Sequence, residues 1–423
     1  MLLIYRVLIV LTAPLALLWL RWKIPGPARL RARWRERLGS VPKTEGGALW
    51  IHAASVGEVN AVAPLAEALL RSWPHRQLVI STMTVTGRAE AGRRFGDRAT
   101  LVFAPLDTPV AVSRWLKRIR PQLAMVAETE IWPELYIGCQ KRSVPLVLVN
   151  ARMTEKALSG YLRFRPLFAR ALAAVKLAVC QSDSDAGRFV RLGLDSDKCI
   201  VAGNLKFDLS VPGNVGEKAR IWRRQWGERP AWVAGSTRPG EEEILLAAHR
   251  LLCRRKPDAL LVLAPRHPER CGQIEDLIER GGLAWQTLGE DIDDATSVVL
   301  VDRIGVLLPC YAAAPAAFVG GSLVDIGGHN LLEPAALGKA VIAGPCLHQQ
   351  EEAAHALRAG GALVTVETPQ DVADAVLSLW TDPEHALALG RSALSVVAEG
   401  RGSLRRTLGL LRPFVEKPGG QPG

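Results

Sequence analysis

The sequence lacks the short motifs that mark the common hydrolytic and phosphate-binding sites. It contains no G-x-x-x-x-G-K-[ST] phosphate loop, no H-E-x-x-H zinc motif and no G-x-S-x-G nucleophile elbow. Its seven cysteines are scattered over 423 residues without a C-x-x-C pair. An odd, dispersed set of cysteines argues against a disulfide framework or a cysteine zinc site and is typical of a reducing compartment.

Apolar residues and positive charge are abundant instead. With 48% hydrophobic and 22% charged residues, the composition is that of a folded protein. A chain of 423 residues is longer than one hydrophobic core usually serves, so the length predicts two domains. The net charge is +11, and the stretch from Arg21 to Glu45 holds eight Lys or Arg against two Glu.

An apolar run, Leu2–Leu20, precedes this basic stretch. Four residues interrupt it: Tyr5, Arg6, Thr12 and Pro14. At ~1.5 Å of rise per residue, a helix of this length just crosses a hydrocarbon core of about 30 Å. We therefore interpret residues 1–22 as a membrane-spanning anchor. The alternative is a helix that lies in the membrane interface, because an arginine and a proline both disfavour a span.

The position of the charges predicts the orientation of the chain. A cleavable signal peptide carries its positive charges before the apolar run, whereas here they follow it. The positive-inside rule then places the rest of the chain on the cytoplasmic side. We expect the basic juxtamembrane segment 23–45 to face anionic lipid headgroups. A nucleic-acid-binding arm is the weaker alternative, since no recognition motif accompanies the segment.

Short apolar runs bounded by turn residues alternate with helical patterns in the rest of the chain. Six such runs come first: Ala48–His52, Leu78–Thr82, Thr100–Phe103, Leu123–Ala127, Pro145–Val149 and Leu177–Cys180. Five follow later: Trp232–Ala234, Ala259–Ala264, Ser297–Val301, Ala317–Val319 and Ala340–Ala343. This alternation predicts parallel sheets covered by helices.

A change in composition separates the two series of predicted strands. Residues 210–230 read as an interdomain linker with one helix. The predicted fold class is therefore α/β, with two tandem doubly wound parallel-sheet domains at 46–209 and 231–415 behind the anchor. Ligands of such sheets bind beyond the carboxyl ends of the strands, so we expect the functional residues there, in a cleft between the domains.

Two strand ends of the second domain suit an anionic ligand. The sequence AGSTRPGEEE at 234–243 follows a strand and opens a helix, where Ser236 and Arg238 can meet a phosphate. A well-capped helix explains the three glutamates but does not require the arginine. Arg266 and His267 follow the next predicted strand, and arginine binds phosphate through two parallel hydrogen bonds.

The longest glycine-rich pattern of this domain is FVGGSLVDIGGHNLLEP at 318–334. Gly320 and Gly321 follow a predicted strand and permit close approach of a phosphate or a sugar. Asn330 and Glu333 stand at a predicted helix start, where a carboxylate can accept hydrogen bonds from both ribose hydroxyls. A tight turn with a capping asparagine is the alternative, but it leaves the glutamate unexplained.

The first domain carries hydroxyl and carboxylate groups after three of its predicted strands. The motifs are SVGE at 55–58, STMTVTGR at 81–88 and ETEIWPEL at 128–135. A single glutamate after a strand is commonly a helix N-terminal charge, but three such loops at one sheet edge favour a functional site. The candidate residues are Ser55, Gly57, Glu58, Arg88, Glu128 and Glu130.

These motifs occur in the order of those in the 3-deoxy-D-manno-octulosonic acid (Kdo) transferases that are specific for lipid A, and the resemblance extends to about residue 400. It implies a GT-B glycosyltransferase whose first domain binds the acceptor lipid IVA and whose second domain binds CMP-Kdo. It further implies inverting transfer in lipopolysaccharide core biosynthesis, without a metal or other cofactor. The site of action would be the cytoplasmic face of the bacterial inner membrane.

The resemblance also assigns roles to the candidates in the first domain. Glu58 matches the general base that takes the proton from the acceptor hydroxyl, and Gly57 provides room for the acceptor. Glu128 and Glu130 lie in a motif that the family uses in its active site. Arg88 would face a carboxylate or a lipid phosphate.

In the second domain, the resemblance assigns the donor to residues of all three motifs. Ser236, Arg238 and Arg266 would hold the phosphate of CMP. Asn330 and Glu333 would hold phosphate and ribose respectively. Stabilisation of the departing CMP by these groups would replace a divalent metal.

Two other functions remain compatible with the sequence. One is a different membrane-associated GT-B glycosyltransferase that uses another nucleotide sugar, although SVGE and ETEIWPEL fit that interpretation poorly. The other is a non-catalytic, membrane-associated nucleotide-binding protein, which does not require Glu58 or Glu333. Turnover distinguishes the second alternative from an enzyme.

Overall fold

The computed structural model describes residues 1–23, 34–209, 211–289 and 292–416. They divide into two units. The first consists of residues 1–208 and the C-terminal stretch that begins at Gly400, and the second of Leu209–Glu399. Part of the predicted basic segment, residues 24–33, lies outside the described residues.

The first unit contains a sheet of seven parallel strands. They are β1 (Ala48–His52), β2 (Leu78–Thr82), β3 (Thr100–Phe103), β4 (Pro121–Ala127), β5 (Leu146–Ala151), β6 (Val175–Cys180) and β7 (Cys199–Val201). Their order across the sheet is β3-β2-β1-β4-β5-β6-β7. The order steps outward from β1 in both directions, which is the doubly wound arrangement predicted from the sequence.

Helices connect these strands, as parallel pairing requires, and two further helices precede β1. They are α1 (Leu2–Lys23), α2 (Trp34–Arg37), α3 (Val56–Ser72), α4 (Val85–Phe95), α5 (Pro109–Ile119), α6 (Pro133–Lys141), α7 (Glu155–Leu162), α8 (Arg165–Leu172) and α9 (Asp183–Leu192). Short 3-10 turns lie at Gly96–Arg98, Ser196–Lys198 and Leu205–Asp208.

Neighbouring residues of one strand belong to different cores. Trp50 packs in the cluster on one face of the sheet, and Ile51 packs in the cluster on the other face. All five residues of β1 are buried. Burial of both faces explains why the interior strands appear in the sequence as continuous apolar runs.

The second unit repeats the architecture with another seven parallel strands. They are β8 (Ala231–Thr237), β9 (Leu260–Pro265), β10 (Trp285–Thr287), β11 (Val298–Leu300), β12 (Ala316–Val319), β13 (Ala340–Ala343) and β14 (Leu363–Thr365). Their order is β10-β11-β9-β8-β12-β13-β14. Two parallel-sheet α/β domains, the predicted fold class, are therefore confirmed.

Helices of this part of the chain again separate consecutive strands, except β10 and β11, between which the described residues form no helix. They are α10 (Val215–Trp226), α11 (Glu241–Arg255), α12 (Cys271–Arg280), α13 (Leu307–Ala313), α14 (Leu332–Ala335), α15 (Glu351–Ala359), α16 (Pro369–Thr381) and α17 (Pro383–Gly400), with a 3-10 turn at Pro268–Arg270. α10 lies inside the predicted linker 210–230 and belongs to the second unit.

The last helix, α18 (Ser403–Glu416), belongs to the first unit, whereas the sequence assigned residues up to 415 to the second domain. Its Leu411 and Val415 are buried in the first unit's core. Gln122 donates hydrogen bonds to the carbonyls of Phe414 and Val415, at 3.2 and 2.7 Å. The chain therefore returns to the first unit after completing the second.

Helix α1 is attached to the first unit by polar contacts. The hydroxyl of Tyr5 donates to Asp107 Oδ2 at 2.6 Å, and Arg6 Nε donates to Glu134 Oε1 at 2.6 Å. Asp107 is buried and also accepts the backbone N–H groups of Glu134 and Leu135, the first turn of α6. The sequence treated these two N-terminal residues as interruptions of an apolar anchor.

Among the helices in the described ranges, none combines the length and the low polarity needed to cross a bilayer. The transmembrane anchor predicted for residues 1–22 is therefore not supported. Arg6, which disfavours a membrane span in the sequence, forms an ion pair with the buried Glu134 of the same unit.

The carboxylate of Asp208 holds the start of α18. It accepts the N–H groups of Gly402 and Leu404 at 2.8 and 2.6 Å. Because Asp208→Ala leaves these two donors unpaired, we expect α18 to lose about 1–2 kcal/mol of local stability. Amide hydrogen exchange in this helix, measured by mass spectrometry, should then be roughly 5- to 30-fold faster. The exposed Asp294→Ala is the control, and unchanged exchange in the Asp208 variant contradicts the assignment.

Candidate active site

The three polar loops of the first unit are neighbours in space. Ser55 and Glu58 follow β1, Arg88 lies beyond β2, and Glu128 follows β4. Because β1 pairs with β2 on one side and with β4 on the other, the three strand ends meet at one edge of the sheet. This arrangement confirms the predicted placement of the loops.

Glu58 occupies the third position of α3 and forms a capping box with Ser55. The backbone N–H and the hydroxyl of Ser55 both donate to Glu58 Oε2, at 2.7 and 2.8 Å. In return, the N–H of Glu58 donates to the serine hydroxyl at 3.4 Å. The glutamate is 7% exposed. It therefore provides the helix N-terminal charge that the sequence offered as an alternative, while only one carboxylate oxygen takes part in these bonds.

The ionisation of Glu58 is strongly perturbed. Burial, followed by the neighbouring carboxylate of Glu130, raises the pKa of its carboxyl group to about 7. The hydrogen bonds from Ser55 oppose this shift, and the charge of Glu128 adds to it. The pKa of Glu130 is also raised, first by burial, and the charge of Glu128 contributes. The three carboxylates thus lie close enough to influence one another.

The backbone at Glu128 adopts a conformation that non-glycine residues rarely take. Its φ is +52°, and its N–H donates to Val149 O on β5 at 3.1 Å. Glu130 Oε2 accepts the indole N–H of Trp132 at 2.8 Å, which fixes its side chain. Strained backbone of this kind costs about 1–3 kcal/mol and clusters at functional sites.

A buried polar network beneath the first loop was not predicted from the sequence. Ser81 Oγ lies 2.8 Å from Trp50 Nε1 and 2.9 Å from His52 Nδ1, and all three residues are fully buried. Burial lowers the pKa of His52 to about 4, so its ring is neutral. The network joins the ends of β1 and β2. Its only signal in the sequence is a histidine within an apolar strand.

Gly57 and Arg88 have different surroundings. A Cβ added at Gly57 would approach only Ser55 Oγ, at 3.8 Å, so the space above this residue is open. The guanidinium of Arg88 forms an ion pair with Glu36, donates to Leu101 O at 2.8 Å and lies over the ring of Phe103. The structure therefore gives this predicted acceptor-site residue internal partners.

In the second unit, the predicted residues also follow adjacent strands. Strand β8 pairs with β9 and with β12, so their carboxyl ends share one edge. Ser236 has a φ of +57° at an irregularity in the β8–β9 register. This conformation at the end of a strand again stores strain at a predicted site residue.

Positive groups gather at this edge. Arg238 Nε donates to His329 Nε2 at 3.2 Å, which joins the loop after β8 to the loop after β12. Burial, followed by the charges of Arg238, Arg266 and His267, lowers the pKa of His329 to about 4. Burial also lowers the pKa of Arg238, with a contribution from Arg266. Arg266 itself is exposed. Like charges held together in this way suit an anionic ligand.

The remaining donor-site candidates have internal contacts. The N–H of Gly320 donates to Gly235 O at 2.8 Å, and that of Gly321 donates to Glu241 Oε2 at 2.6 Å. Asn330 Nδ2 lies 3.4 Å from Glu333 Oε1, at the start of α14. The roles of these residues in donor binding stay predictions.

Comparison with known proteins addresses the family directly. The model of the 3-deoxy-D-manno-octulosonic-acid transferase (kdotransferase) family matches residues 32–209. The Haemophilus influenzae 3-deoxy-D-manno-octulosonic acid transferase is 35% identical over 98% of this chain and 98% of its own length. The chain belongs to the Kdo transferase family. The enzyme of the same name from Bordetella pertussis is 32% identical over 95% of this chain and 97% of its own.

Solved structures add information on the fold of this Kdo transferase family member. A UDP-GlcNAc 2-epimerase from Neisseria meningitidis matches with a TM-score of 0.57 and 14% identity, over 86% of this chain and 100% of that one. A glycosyltransferase from Rickettsia africae matches with a TM-score of 0.56 and 12% identity, over 89% of this chain and 100% of that one. The fold is GT-B, as the resemblance implied, and the protein is a glycosyltransferase by family.

In this Kdo transferase family member, the effect of Glu130 on the pKa of Glu58 can be tested directly. Glu130→Gln removes one neighbouring negative charge, so we expect the pKa of Glu58 to fall from about 7 towards its ordinary value. Carbon-13 NMR titration of protein labelled at glutamate carboxyl groups measures the shift, and Glu58→Gln identifies the resonance. The exposed Glu217→Gln is the control. If the pKa stays near 7 in Glu130→Gln, the charge of Glu130 does not contribute to the perturbation of Glu58.

Proposed function

We propose that this protein transfers Kdo from CMP-Kdo to the lipid A precursor lipid IVA, with inversion at the anomeric carbon and without a metal. In this reaction a lipid hydroxyl oxygen bonds to the anomeric carbon and loses its proton. The bond between that carbon and the phosphate oxygen breaks, and CMP leaves with the electron pair. Two groups are needed: a base for the proton, and positive charge for the leaving phosphate.

The observation that carries this proposal is the buried carboxyl group of Glu58, whose pKa is raised to about 7. A general base is most effective when its pKa lies near the working pH. The capping box with Ser55 fixes the carboxylate through Oε2. We assign Oε1, which takes no part in these bonds, to the acceptor hydroxyl. Glu58 is therefore our candidate for the group that receives the proton, and Glu130 and Glu128 increase its basicity.

The positive groups of the second unit support the donor half of the proposal. Departure of CMP changes its phosphate from a singly charged diester to a more highly charged monoester. Arg238 and Arg266 carry the positive charge that stabilises this change, and neutral His329 orients the first of them. Fixed cations at a leaving phosphate perform the task that a divalent metal performs in other enzymes. Ser236, Asn330 and Glu333 lie in the neighbouring loops as ligands for phosphate and ribose.

Exposed apolar residues support action at a membrane. Leu3, Leu8, Leu11 and Leu15 of α1 are between 56% and 72% exposed. The acceptor in our proposal is itself an anionic lipid, and a helix with such a face can lie in the membrane interface. We propose that the protein works at the cytoplasmic face of the bacterial inner membrane, with the basic segment 23–45 near anionic headgroups.

The proposal can be tested with purified CMP-Kdo and lipid IVA in the presence of EDTA. We expect wild type to transfer Kdo, and Glu58→Ala to lose 10²- to 10⁴-fold in rate, because the proton then has no positioned acceptor. The rate of wild type should fall as the pH drops below about 7, since Glu58 becomes protonated there. Mass spectrometry of the lipid product measures transfer and counts the sugars added.

Glu217→Ala provides a matched control. Glu217 is the third residue of a second Val-Gly-Glu sequence, at the start of α10, and it is exposed. We expect the Glu217→Ala variant to transfer Kdo at the wild-type rate. Near-normal transfer by Glu58→Ala contradicts the role of this residue and directs the search for the base to Glu128 and Glu130. A wild type that binds CMP but does not use this substrate pair favours another nucleotide sugar.

The open space above Gly57 generates a further prediction. Gly57→Ala places a methyl group where we propose that the acceptor approaches, so we expect a higher KM for lipid IVA and an unchanged KM for CMP-Kdo. The same change at Gly216, the matching position in α10, has open space and no proposed ligand. Both variants should be at least as stable as wild type, because alanine is the better helix former. Equal kinetics of the two variants refute the assignment.

A further inference from the structure

Glu241, the first residue of α11, holds together the loops that follow β8 and β12. Its side chain is fully buried. Oε2 accepts the backbone N–H groups of Arg238 and Gly321, at 2.9 and 2.6 Å. Oε1 accepts those of Ser322 and Leu323, both at 2.9 Å. One carboxylate therefore satisfies four backbone donors that come from two loops.

Such a group of amides ordinarily binds an external anion. Gly321 has a φ of +69°, and three successive N–H groups of its loop point to one position. Successive amides in this conformation form a concave anion-binding nest, and a helix N-terminus adds positive potential. Here the nest is filled by a residue of the chain itself. The amides of Gly321–Leu323 are consequently committed to Glu241 in this structure.

The contacts of Glu241 extend to the positive groups of the edge. It fixes the backbone of Arg238, whose Nε donates to His329 Nε2 at 3.2 Å. The N–H of His329 in turn donates to Gly320 O at 3.0 Å, next to the nest. The carboxylate, the arginine, the histidine and the glycine loop thus form one closed set of contacts. Displacement of either loop would separate the guanidinium from the imidazole.

The three glutamates at the start of α11 differ in their surroundings. Glu242 is buried and pairs with Arg270 at 2.9 Å, while Thr237 Oγ1 donates to it at 3.0 Å. Glu243 is exposed. All three complement the helix dipole equally well, so the dipole does not account for the burial of Glu241 among four donors.

We propose that Glu241 is a positioning residue for the nucleotide donor, which acts by holding the backbone of both loops and so directing Arg238 towards the phosphate of CMP. The inference rests on the proposed function in assigning CMP as the ligand. The negative charge of Glu241 does not repel the phosphate appreciably, since four N–H dipoles and the guanidinium of Arg238 compensate this charge.

The test compares Glu241→Gln with Glu243→Gln in the full chain, by calorimetric titration with CMP. Glutamine keeps the size of the side chain but turns an NH₂ group towards backbone N–H donors, so the nest opens. We expect Glu241→Gln to bind CMP at least tenfold more weakly and Glu243→Gln to bind within twofold of wild type. In steady-state transfer, the KM for CMP-Kdo should rise while the KM for lipid IVA stays unchanged, a split that general destabilisation does not produce.

Amide hydrogen exchange of residues 321–323 provides an independent measurement. We expect faster exchange at these amides in Glu241→Gln and no change in Glu243→Gln. Wild-type CMP affinity or wild-type exchange in Glu241→Gln overturns the inference. If Glu241→Gln does not fold, Glu241→Asp replaces it: its shorter side chain cannot reach both loops, and wild-type CMP affinity in that variant overturns the inference equally.

Failure of the proposed function gives a different result. If wild type binds no CMP, the donor assignment fails whatever the variants do. The role of Glu241 in holding the loops is then decided by the exchange of residues 321–323 alone.

Discussion

Parallel strands pair only when their chains run in the same direction, so each strand must be followed by a crossover to the opposite end of the sheet. Every loop that follows a strand therefore lies at one edge. In the first unit, β1, β2 and β4 bring carboxylates to that edge. In the second unit, β8, β9 and β12 bring arginines and histidines. The separation of acidic and basic groups between the two sheets follows from which strand ends carry which residues.

Buried carboxylates serve different purposes here according to the number of donors that reach them. Asp107 accepts a hydroxyl and two backbone N–H groups, and Glu241 accepts four backbone N–H groups. Burial raises the pKa of both carboxyl groups, and these hydrogen bonds oppose the shift. Every carboxylate oxygen of the two groups has a donor, which suits a structural role. Glu58 accepts donors from Ser55 alone and has two carboxylates nearby. Fewer donors and more negative charge make it a stronger base than its residue type suggests.

The sequence predicted the interior strands of both sheets well but missed three of the four edge strands. Interior strands are buried on both faces, so their apolar runs are continuous and visible. The edge strands β7, β10 and β14 have three residues each and include partly exposed positions, so they lack that signal. The strand-end candidates were likewise visible as local motifs. The nest around Glu241 and the pairing of Arg88 with Glu36 were not visible, because their partners are distant in sequence. Glu36 lies 52 positions from Arg88, and the amides of Gly321–Leu323 lie 80 to 82 positions from Glu241.

Helix α18 has a consequence for the synthesis of the protein. The ribosome synthesises the chain from the N-terminus, so the second unit, of roughly 190 residues, is made before this helix. At 5–20 residues per second, the interval is about 10 to 40 s. Throughout that time Leu411 and Val415 are missing from the first unit's core. Its core is therefore completed only after the whole second unit has been synthesised.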